Sequence, residues 1–171
     1  MQATMGTYVL HEHTFPCQVL AYPRQLNDES TSPITYELSL GCSVEHAFAT
    51  YTGRIGEWWD PSYTASRETL QAVTIEPRVG GRVYATHSDL GEHDWGEITV
   101  WEPGHRLVHT FTLAQSPQHS SEVSVEFVPD EGPRCTLRFA HGGWTEANAE
   151  ARKKFGDWPV MLDRFVAQAD S

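Results

Sequence analysis

Six segments of strand character follow one another between residues 71 and 141, and the connections between them are short. Parallel neighbours in a sheet need a crossover of about a dozen residues or more, so segments this close together are expected to pair as antiparallel hairpins. The connections hold residues that reverse a chain, such as Gly80-Gly81 and Pro103-Gly104. The segments run over residues 71–76, 82–87, 95–101, 106–112, 122–128 and 135–141.

A strand and two helices are predicted before these segments. Residues 34–40 alternate between apolar and polar side chains, as a strand with one buried face does. Ser43 is a favourable N-cap for the helix that follows, and Gly53 ends it. Residues 54–59 form a second short helix that stops before Pro61. The first helix carries apolar residues at helical spacing: Val44, Ala47, Phe48 and Tyr51.

The chain ends in a helical region that divides at Gly156. A first stretch covers residues 146–155, and a second covers residues 158–168 with Asp157 as its expected N-cap. One face of the second stretch is apolar and carries Trp158, Met161, Leu162 and Phe165. An antiparallel sheet with this helix packed across one face buries both apolar surfaces, so the sequence predicts an α+β fold.

Residues 1–33 differ from the rest of the chain, with three prolines, a polar stretch and one candidate strand over residues 7–10. We therefore expect an irregular N-terminal extension over residues 1–33 and one domain over residues 34–171. No basic stretch followed by an apolar block opens the sequence, so we expect a cytoplasmic location. The longest apolar runs are too short to span a bilayer.

Charge and cysteine content disfavour several kinds of site. The net charge of −11 disfavours nucleic acid and anionic membranes as partners, because both attract basic proteins. Cys17, Cys42 and Cys135 show no CxxC spacing, so neither a disulfide framework nor a zinc ribbon is expected. We expect the three cysteines to be small buried side chains.

A series of short motifs runs in a fixed order through the predicted sheet. They are Trp58-Trp59, Arg78-Val79-Gly80-Gly81-Arg82, Gly96-Glu97, Pro103 with Arg106-Leu107-Val108, and His141-Gly142-Gly143-Trp144. Each motif is weak alone, but the ordered set resembles the START-like (Bet v 1-like, SRPBCC) superfamily. Within it, the set is similar to the branch of the C-terminal domain of the activator of Hsp90 ATPase. The likeness covers roughly residues 34–169.

This resemblance implies a helix-grip fold, in which a curved antiparallel sheet wraps around a long C-terminal helix with a cavity between them. Strand parity then indicates which side chains face the cavity, because alternate residues point to opposite faces. The expected ligand-binding residues are Trp58, Trp59, Val83, His87, Leu107, His109, Phe111, Val125, Phe127, Phe139, His141, Trp158, Met161, Leu162 and Phe165.

Three histidines fall on the inward parity of three strands: His87, His109 and His141. They can give a pocket its orienting hydrogen bonds, or act as acid and base near neutral pH. The alternative is that each is a hydrogen-bonded histidine of the core or lies at a strand end. His109 and His141 are therefore only weak catalytic candidates, and no catalytic residue is assigned.

Other catalytic and cofactor sites find no support in the sequence. His11-Glu12-His13 lacks the spacing of a helical zinc motif, so no metal site is predicted. Gly80-Gly81 is followed neither by a helix nor by the lysine of a phosphate-binding loop, so a hairpin turn is predicted there and no cofactor is expected. No serine lies in a nucleophile-elbow context.

Three functions remain open. The first, which we favour, is binding of a small apolar or aromatic molecule in the cavity. The second is an enzyme of the polyketide cyclase or aromatase kind that uses pocket histidines. The third is an Hsp90 co-chaperone-like interaction domain, as the name of the resembling branch implies. A homodimer is also left open.

Overall fold

A computed structural model describes the fold of residues 30–171. The strand predicted at residues 7–10, the motif His11-Glu12-His13 and Cys17 lie outside the described residues, as does most of the predicted N-terminal extension.

Within these residues, seven antiparallel strands form one sheet in the order β1-β7-β6-β5-β4-β3-β2. The last six strands form a meander, and β1 closes the sheet against β7. The strands are β1 Ile34–Leu40, β2 Leu70–Ile75, β3 Arg82–His87, β4 Gly91–Glu102, β5 Arg106–Phe111, β6 Ser121–Pro129 and β7 Cys135–Gly142. The antiparallel pairing predicted from the short connections is therefore confirmed.

In the described part of the chain, four α-helices accompany the sheet: α1 Val44–Gly53, α2 Ile55–Trp58, α3 Ala149–Arg152 and α4 Trp158–Ala169. Single 3₁₀ turns lie at Pro61–Tyr63, Pro117–His119 and Lys153–Phe155. Ser43 caps α1 by accepting a hydrogen bond from the backbone N–H of His46 at 3.3 Å. No helix within residues 30–171 is long and apolar enough to cross a membrane.

The core lies between the sheet and α4. The predicted apolar face of α4 is buried, and so are the inward positions of β3, β5, β6 and β7. The rings of Phe127 and Phe165 meet at 6.3 Å between their centroids, which joins the middle of the sheet to the middle of α4. The curved sheet and the C-terminal helix confirm the predicted helix-grip fold.

The prediction for the start of β4 was wrong. It placed the strand over residues 95–101, whereas β4 begins at Gly91, which has a positive φ of 71°. Glycine adopts this left-handed conformation without strain, so the reversal is completed within a few residues. The polar start of β4 pairs with β3, and Arg82 binds Glu92 and Asp94 across the two strands at 2.8 and 2.6 Å.

The helix predicted over residues 146–155 is also shorter in the structure. Only α3 and the 3₁₀ turn Lys153–Phe155 form there. Asn148 holds the segment before α3 in a non-helical loop, since its Oδ1 accepts a hydrogen bond from the backbone N–H of Thr145 at 2.6 Å. Asp157 does occupy the N-cap position of α4, but its side chain makes no capping hydrogen bond.

Gly96 lies where β4 approaches the backbone of β5 most closely. A Cβ atom built on Gly96 would lie 1.8 Å from the carbonyl oxygen of Thr110. The register of β4 against β3 shifts at the same place. The backbone N–H of Glu97 donates to Oγ1 of Thr110 at 2.9 Å, and that of Thr112 donates to the carbonyl of Trp95 at 2.7 Å. Only a residue without a side chain fits at position 96.

Candidate functional site

An apolar pocket of about 240 Å³ opens at the N-terminal end of α4. Three segments that are distant in sequence surround it: the residues after α2, the loop after β5 and the turn that leads into α4. Its lining consists of Trp59, Ser62, Tyr63, Thr64, Phe111, Leu113, Ala114, Lys154, Phe155, Asp157, Trp158 and Met161. The pocket therefore lies at the mouth of the space between sheet and helix.

Aromatic rings form most of the pocket wall. The ring of Trp158 connects two other rings of this wall: its centroid lies 6.0 Å from that of Trp59 and 6.0 Å from that of Phe111. Phe155 closes one side at 5.8 Å from Phe111. Rings arranged in this way offer flat apolar surface and ring edges, to which another aromatic ring can bind by stacking or edge contact.

Polar groups lie only at the rim. The hydroxyl of Tyr63 donates a hydrogen bond to Oδ2 of Asp157 at 3.1 Å, and this bond raises the pKa of Tyr63. On the other side, Nζ of Lys154 donates to the backbone carbonyl of Ala114 at 2.9 Å. Nε1 of Trp59 donates to the carbonyl of Tyr63 at 3.2 Å. The first two bonds link the three lining segments to one another, and the third lies within the segment after α2.

The fifteen residues predicted to bind ligand divide into two groups. Four line the pocket: Trp59, Phe111, Trp158 and Met161. The other eleven are buried in the core away from its surface: Trp58, Val83, His87, Leu107, His109, Val125, Phe127, Phe139, His141, Leu162 and Phe165. The deeper part of the predicted cavity is filled by rings of this second group, as in the contact of Trp58 with Phe165 at 5.5 Å.

Hydrogen bonds within the protein use both ring nitrogens of His141. Nε1 of Trp158 donates to Nδ1 of His141 at 2.9 Å. An indole N–H can only donate, so Nδ1 must be unprotonated and the proton of the neutral ring is on Nε2. Nε2 therefore donates to Oγ of Ser121 at 2.7 Å. His141 has no exposed surface and fixes the orientation of Trp158, a wall of the pocket.

The surroundings of His141 keep it neutral. Burial lowers its pKa to about 3, and repulsion by His109, when that ring is protonated, and by Arg152 acts in the same direction. A proton on Nδ1 would also face the N–H of Trp158, so two donors would meet. Any proton transfer by His141 would have to break one of its two hydrogen bonds.

His109 and His87 have fewer partners. His109 lies mid-strand in β5, where burial lowers its pKa to about 4, and its Nδ1 lies 2.7 Å from the carbonyl of Thr110. His87 lies at the end of β3, with Nδ1 3.3 Å from Oγ1 of Thr69. Nε2 of His87 is buried and has no hydrogen-bond partner among the described residues.

The three histidines do not converge. They lie on β3, β5 and β7, which are alternate strands of the sheet, and Val123 separates His109 from His141 in one cross-strand row. Within residues 30–171, no three histidine, cysteine or acidic side chains are grouped so that they could hold a metal ion.

Reasoning from strand parity missed most of the pocket rim. The missed residues are Ser62, Tyr63, Thr64, Leu113, Ala114, Lys154, Phe155 and Asp157. All of them lie in turns or loops, where the alternation of side chains no longer applies. The one signal in the sequence was the aromatic character of Tyr63 and Phe155 next to predicted breaks of secondary structure.

Comparison with known families identifies the domain. The family model described as Activator of Hsp90 ATPase homolog 1-like protein matches residues 42–169, three quarters of the chain. Among curated proteins there is no significant match.

Several solved structures are similar over most of their length. One is an anthrahydroquino-Gama-pyrone synthase, Txn09, complexed with the compound SUM, with 28% identity and a TM-score of 0.55. The match covers 79% of this chain and 95% of that one. Another is CalC, a self-sacrificing resistance protein from Micromonospora echinospora, with 21% identity, a TM-score of 0.61 and coverage of 82% and 96%.

A third similar structure is the Aha1 dimer from Colwellia psychrerythraea, with 16% identity and a TM-score of 0.60. The match covers 82% of this chain and 97% of that one. At these identities, the second and third structures show the shared fold only.

Proposed function

This chain belongs to the Activator of Hsp90 ATPase homolog 1-like family, and we propose that it binds one small apolar or aromatic molecule in the pocket at the N-terminal end of α4. The observation that carries the proposal is the pocket itself. Its wall combines aromatic rings with Leu113 and Met161, and its polar groups are confined to the rim. Binding sites for small molecules in proteins commonly combine an apolar wall with a few polar groups.

The size of the pocket limits the ligand. A dry cavity of roughly 150 Å³ holds benzene, whereas drug-sized ligands occupy roughly 300–1,000 Å³. At about 240 Å³ the pocket suits a molecule of one or two fused rings. A larger ligand would extend past the rim of the pocket. The similar structure at 28% identity is an anthrahydroquino-Gama-pyrone synthase, Txn09, complexed with SUM, and this likeness supports a cyclic organic ligand here.

Filling the pocket should abolish binding. Leu113→Trp places a larger ring among the lining residues, and we expect it to weaken binding of 2-naphthol at least tenfold in isothermal titration calorimetry. Val160→Trp is the matched control, because Val160 lies on α4 near the pocket but is 46% exposed and does not line it. It should bind 2-naphthol as the unmodified protein does.

A panel of one- to three-ring aromatic compounds tests the proposal without substitutions. A compound at one hundred times its Kd should stabilise the protein by about 2.7 kcal/mol, which is visible as a higher Tm. If no compound of the panel raises the Tm, or if Leu113→Trp leaves binding unchanged, this pocket is not the binding site.

An enzyme of the polyketide cyclase kind is the second candidate. The observation that favours it is the 28% identity with a synthase over 79% of the chain. The rim groups Tyr63 and Asp157 reach the pocket, whereas His141 is engaged on both nitrogens and His109 is buried in the sheet. We therefore expect any turnover to depend on the rim more than on the histidines.

Turnover can be measured with a linear poly-β-carbonyl thioester, by the absorbance of the aromatic product. If the protein is such an enzyme, Asp157→Asn should lower the rate more than tenfold, and His109→Phe should lower it less than threefold. If His109→Phe folds normally but loses turnover, the reaction depends on the pocket histidines and not on the rim. The Hsp90 co-chaperone role remains a prediction, and a pull-down with Hsp90 tests it. The homodimer also remains a prediction, and a measurement of the mass in solution tests it.

A further inference from the structure

Cys42 and Cys135 meet although 92 residues separate them in the sequence. Cys135 begins β7, and its partner across the sheet is Leu40, the last residue of β1. Cys42 follows two residues later, in the bend that leads to α1. Cys42 packs against the buried cluster that contains Cys135, each side chain affects the pKa of the other, and both are free thiols. A strand end and the turn leaving it can supply the Cα separation of roughly 4–7 Å that a disulfide needs.

The two thiols differ in their access to solvent. Cys42 is partly exposed, whereas Cys135 is completely buried in the core. We propose that Cys42 and Cys135 form a thiol-oxidation site, in which a small disulfide such as glutathione disulfide reacts with Cys42 and the bond is then passed to Cys135. The proposal stands apart from the ligand pocket and does not rest on the proposed function.

The reaction proceeds in two exchanges. The thiolate of Cys42 attacks one sulfur of glutathione disulfide, which forms a mixed disulfide and releases one glutathione thiolate. The thiolate of Cys135 then attacks the Cys42 sulfur, which forms the internal disulfide and releases the second glutathione. The two protein thiols lose two electrons and two protons, and both are recovered in two molecules of glutathione. No further oxidant is required.

The surroundings of the pair should make this exchange slow near neutral pH. Burial raises the pKa of both thiols, that of Cys135 to about 12, and the carboxylate of Asp170 adds to both effects. The Oδ1 atom of Asp170 accepts a hydrogen bond from the backbone N–H of Gly41 at 2.8 Å, which holds its charge beside the pair. Because the thiolate is the reactive form, exchange should accelerate as the pH rises.

The pair Cys42 and Cys135 lies at the opposite end of α4 from the pocket. Asp170 follows the C-terminal end of α4, whereas the pocket lies at the N-terminal end of that helix. A disulfide here would join the connection between β1 and α1 to the start of β7. We therefore expect oxidation to raise the resistance to unfolding and to leave binding at the pocket unchanged.

Peptide mapping tests the site directly. The full-length protein is incubated with glutathione disulfide at pH 8.5, quenched with acid, alkylated and digested with trypsin. Trypsin places the three cysteines in different peptides, residues 1–24, 25–54 and 135–138. We expect peptides 25–54 and 135–138 to be joined. A stable glutathione adduct on Cys42 alone, a bridge to Cys17, or no change in mass would each overturn the proposal.

Two variants test the order of the exchanges. Cys135→Ala should stop at a glutathione adduct on Cys42, because the resolving thiol is missing. Cys42→Ser should leave Cys135 unmodified, because the buried thiol is not accessible in the folded protein. If Cys135 reacts as fast in Cys42→Ser as in the unmodified protein, the assigned order is wrong.

Asp170→Asn tests the influence of the neighbouring charge. The amide oxygen of asparagine can keep the hydrogen bond from Gly41, while the negative charge is removed. We expect bridge formation at pH 7.5 to be at least threefold faster than in the unmodified protein. An unchanged or slower rate, with circular dichroism showing an intact fold, would mean that Asp170 does not restrain this pair.

Discussion

Replacing Gly96 by alanine is expected to destabilise the protein by more than about 3 kcal/mol, or to prevent folding altogether. The added Cβ atom would lie 1.8 Å from the carbonyl oxygen of Thr110, a backbone atom that no change of rotamer can move away. Relief requires β4 and β5 to separate, which breaks hydrogen bonds on both sides of the contact. Urea unfolding followed by tryptophan fluorescence measures the loss.

Gly53→Ala is the matched control for this prediction. Gly53 ends α1, and a Cβ atom there meets no other atom within 4 Å. Alanine at this position should be neutral or should stabilise the protein by up to about 1 kcal/mol, because it favours helix and restricts the unfolded chain. A similar loss of stability in both variants would show that the contact with Thr110 is not the cause.

Acidification should lower the stability of the protein at pH values well above those at which carboxylates become protonated. His109 and His141 have pKa values of about 4 and about 3 in the folded protein, whereas an unfolded histidine titrates near pH 6.5. Between these values the unfolded chain binds more protons than the folded one, so the free energy of unfolding falls as the pH falls. Full stability is present above about pH 6.5.

The expected loss of stability on acidification follows from the uptake of two protons on unfolding, one by each histidine. Each histidine contributes about 1.4 kcal/mol per pH unit within the window, so lowering the pH from 6.5 to 4.5 removes on the order of 5 kcal/mol. That is comparable to the whole stability of many domains of this size. Urea unfolding at pH 7, 6 and 5 gives the slope.

The variant His109→Phe distinguishes the contribution of the buried histidines to the pH dependence of stability from that of other titrating groups. It removes one of the two buried imidazoles, so the slope between pH 6 and pH 5 should fall by about half. The carboxylates of Glu57, Asp60 and Asp89, whose pKa values are lowered by hydrogen bonds, remain in both proteins and affect them equally. An unchanged slope would mean that His109 takes up its proton in the folded state as readily as in the unfolded one.

The sequence was sufficient to predict the sheet and the last helix, because both depend on local patterns. Strand alternation placed Val125 and Phe139 inside, and helical spacing placed Met161 and Phe165 inside, as the structure shows. The family resemblance supplied how these elements pack. Errors were confined to β4 and α3, where a glycine turn and the side chain of Asn148 change the local conformation.

The site was harder to predict, because it depends on contacts between distant segments. Inward parity identified His141 but could not show that Trp158 and Ser121 take up both of its nitrogens. Nor could it show that Asp157, a reasonable helix cap by sequence, accepts its hydrogen bond from Tyr63, 94 residues away. Such partners follow from the packing of the whole chain and have no local signal.

The rim of the pocket lies on three connections and not on the strands of the sheet. Substitutions or insertions in connections usually disturb a fold much less than changes in a packed core. Given the proposed binding at this pocket, we expect relatives with the same framework to differ in the ligands they bind through the residues around Tyr63, Leu113 and Lys154. For protein engineering, these three short segments are the natural places to graft a new specificity, with the seven strands and α4 left as they are.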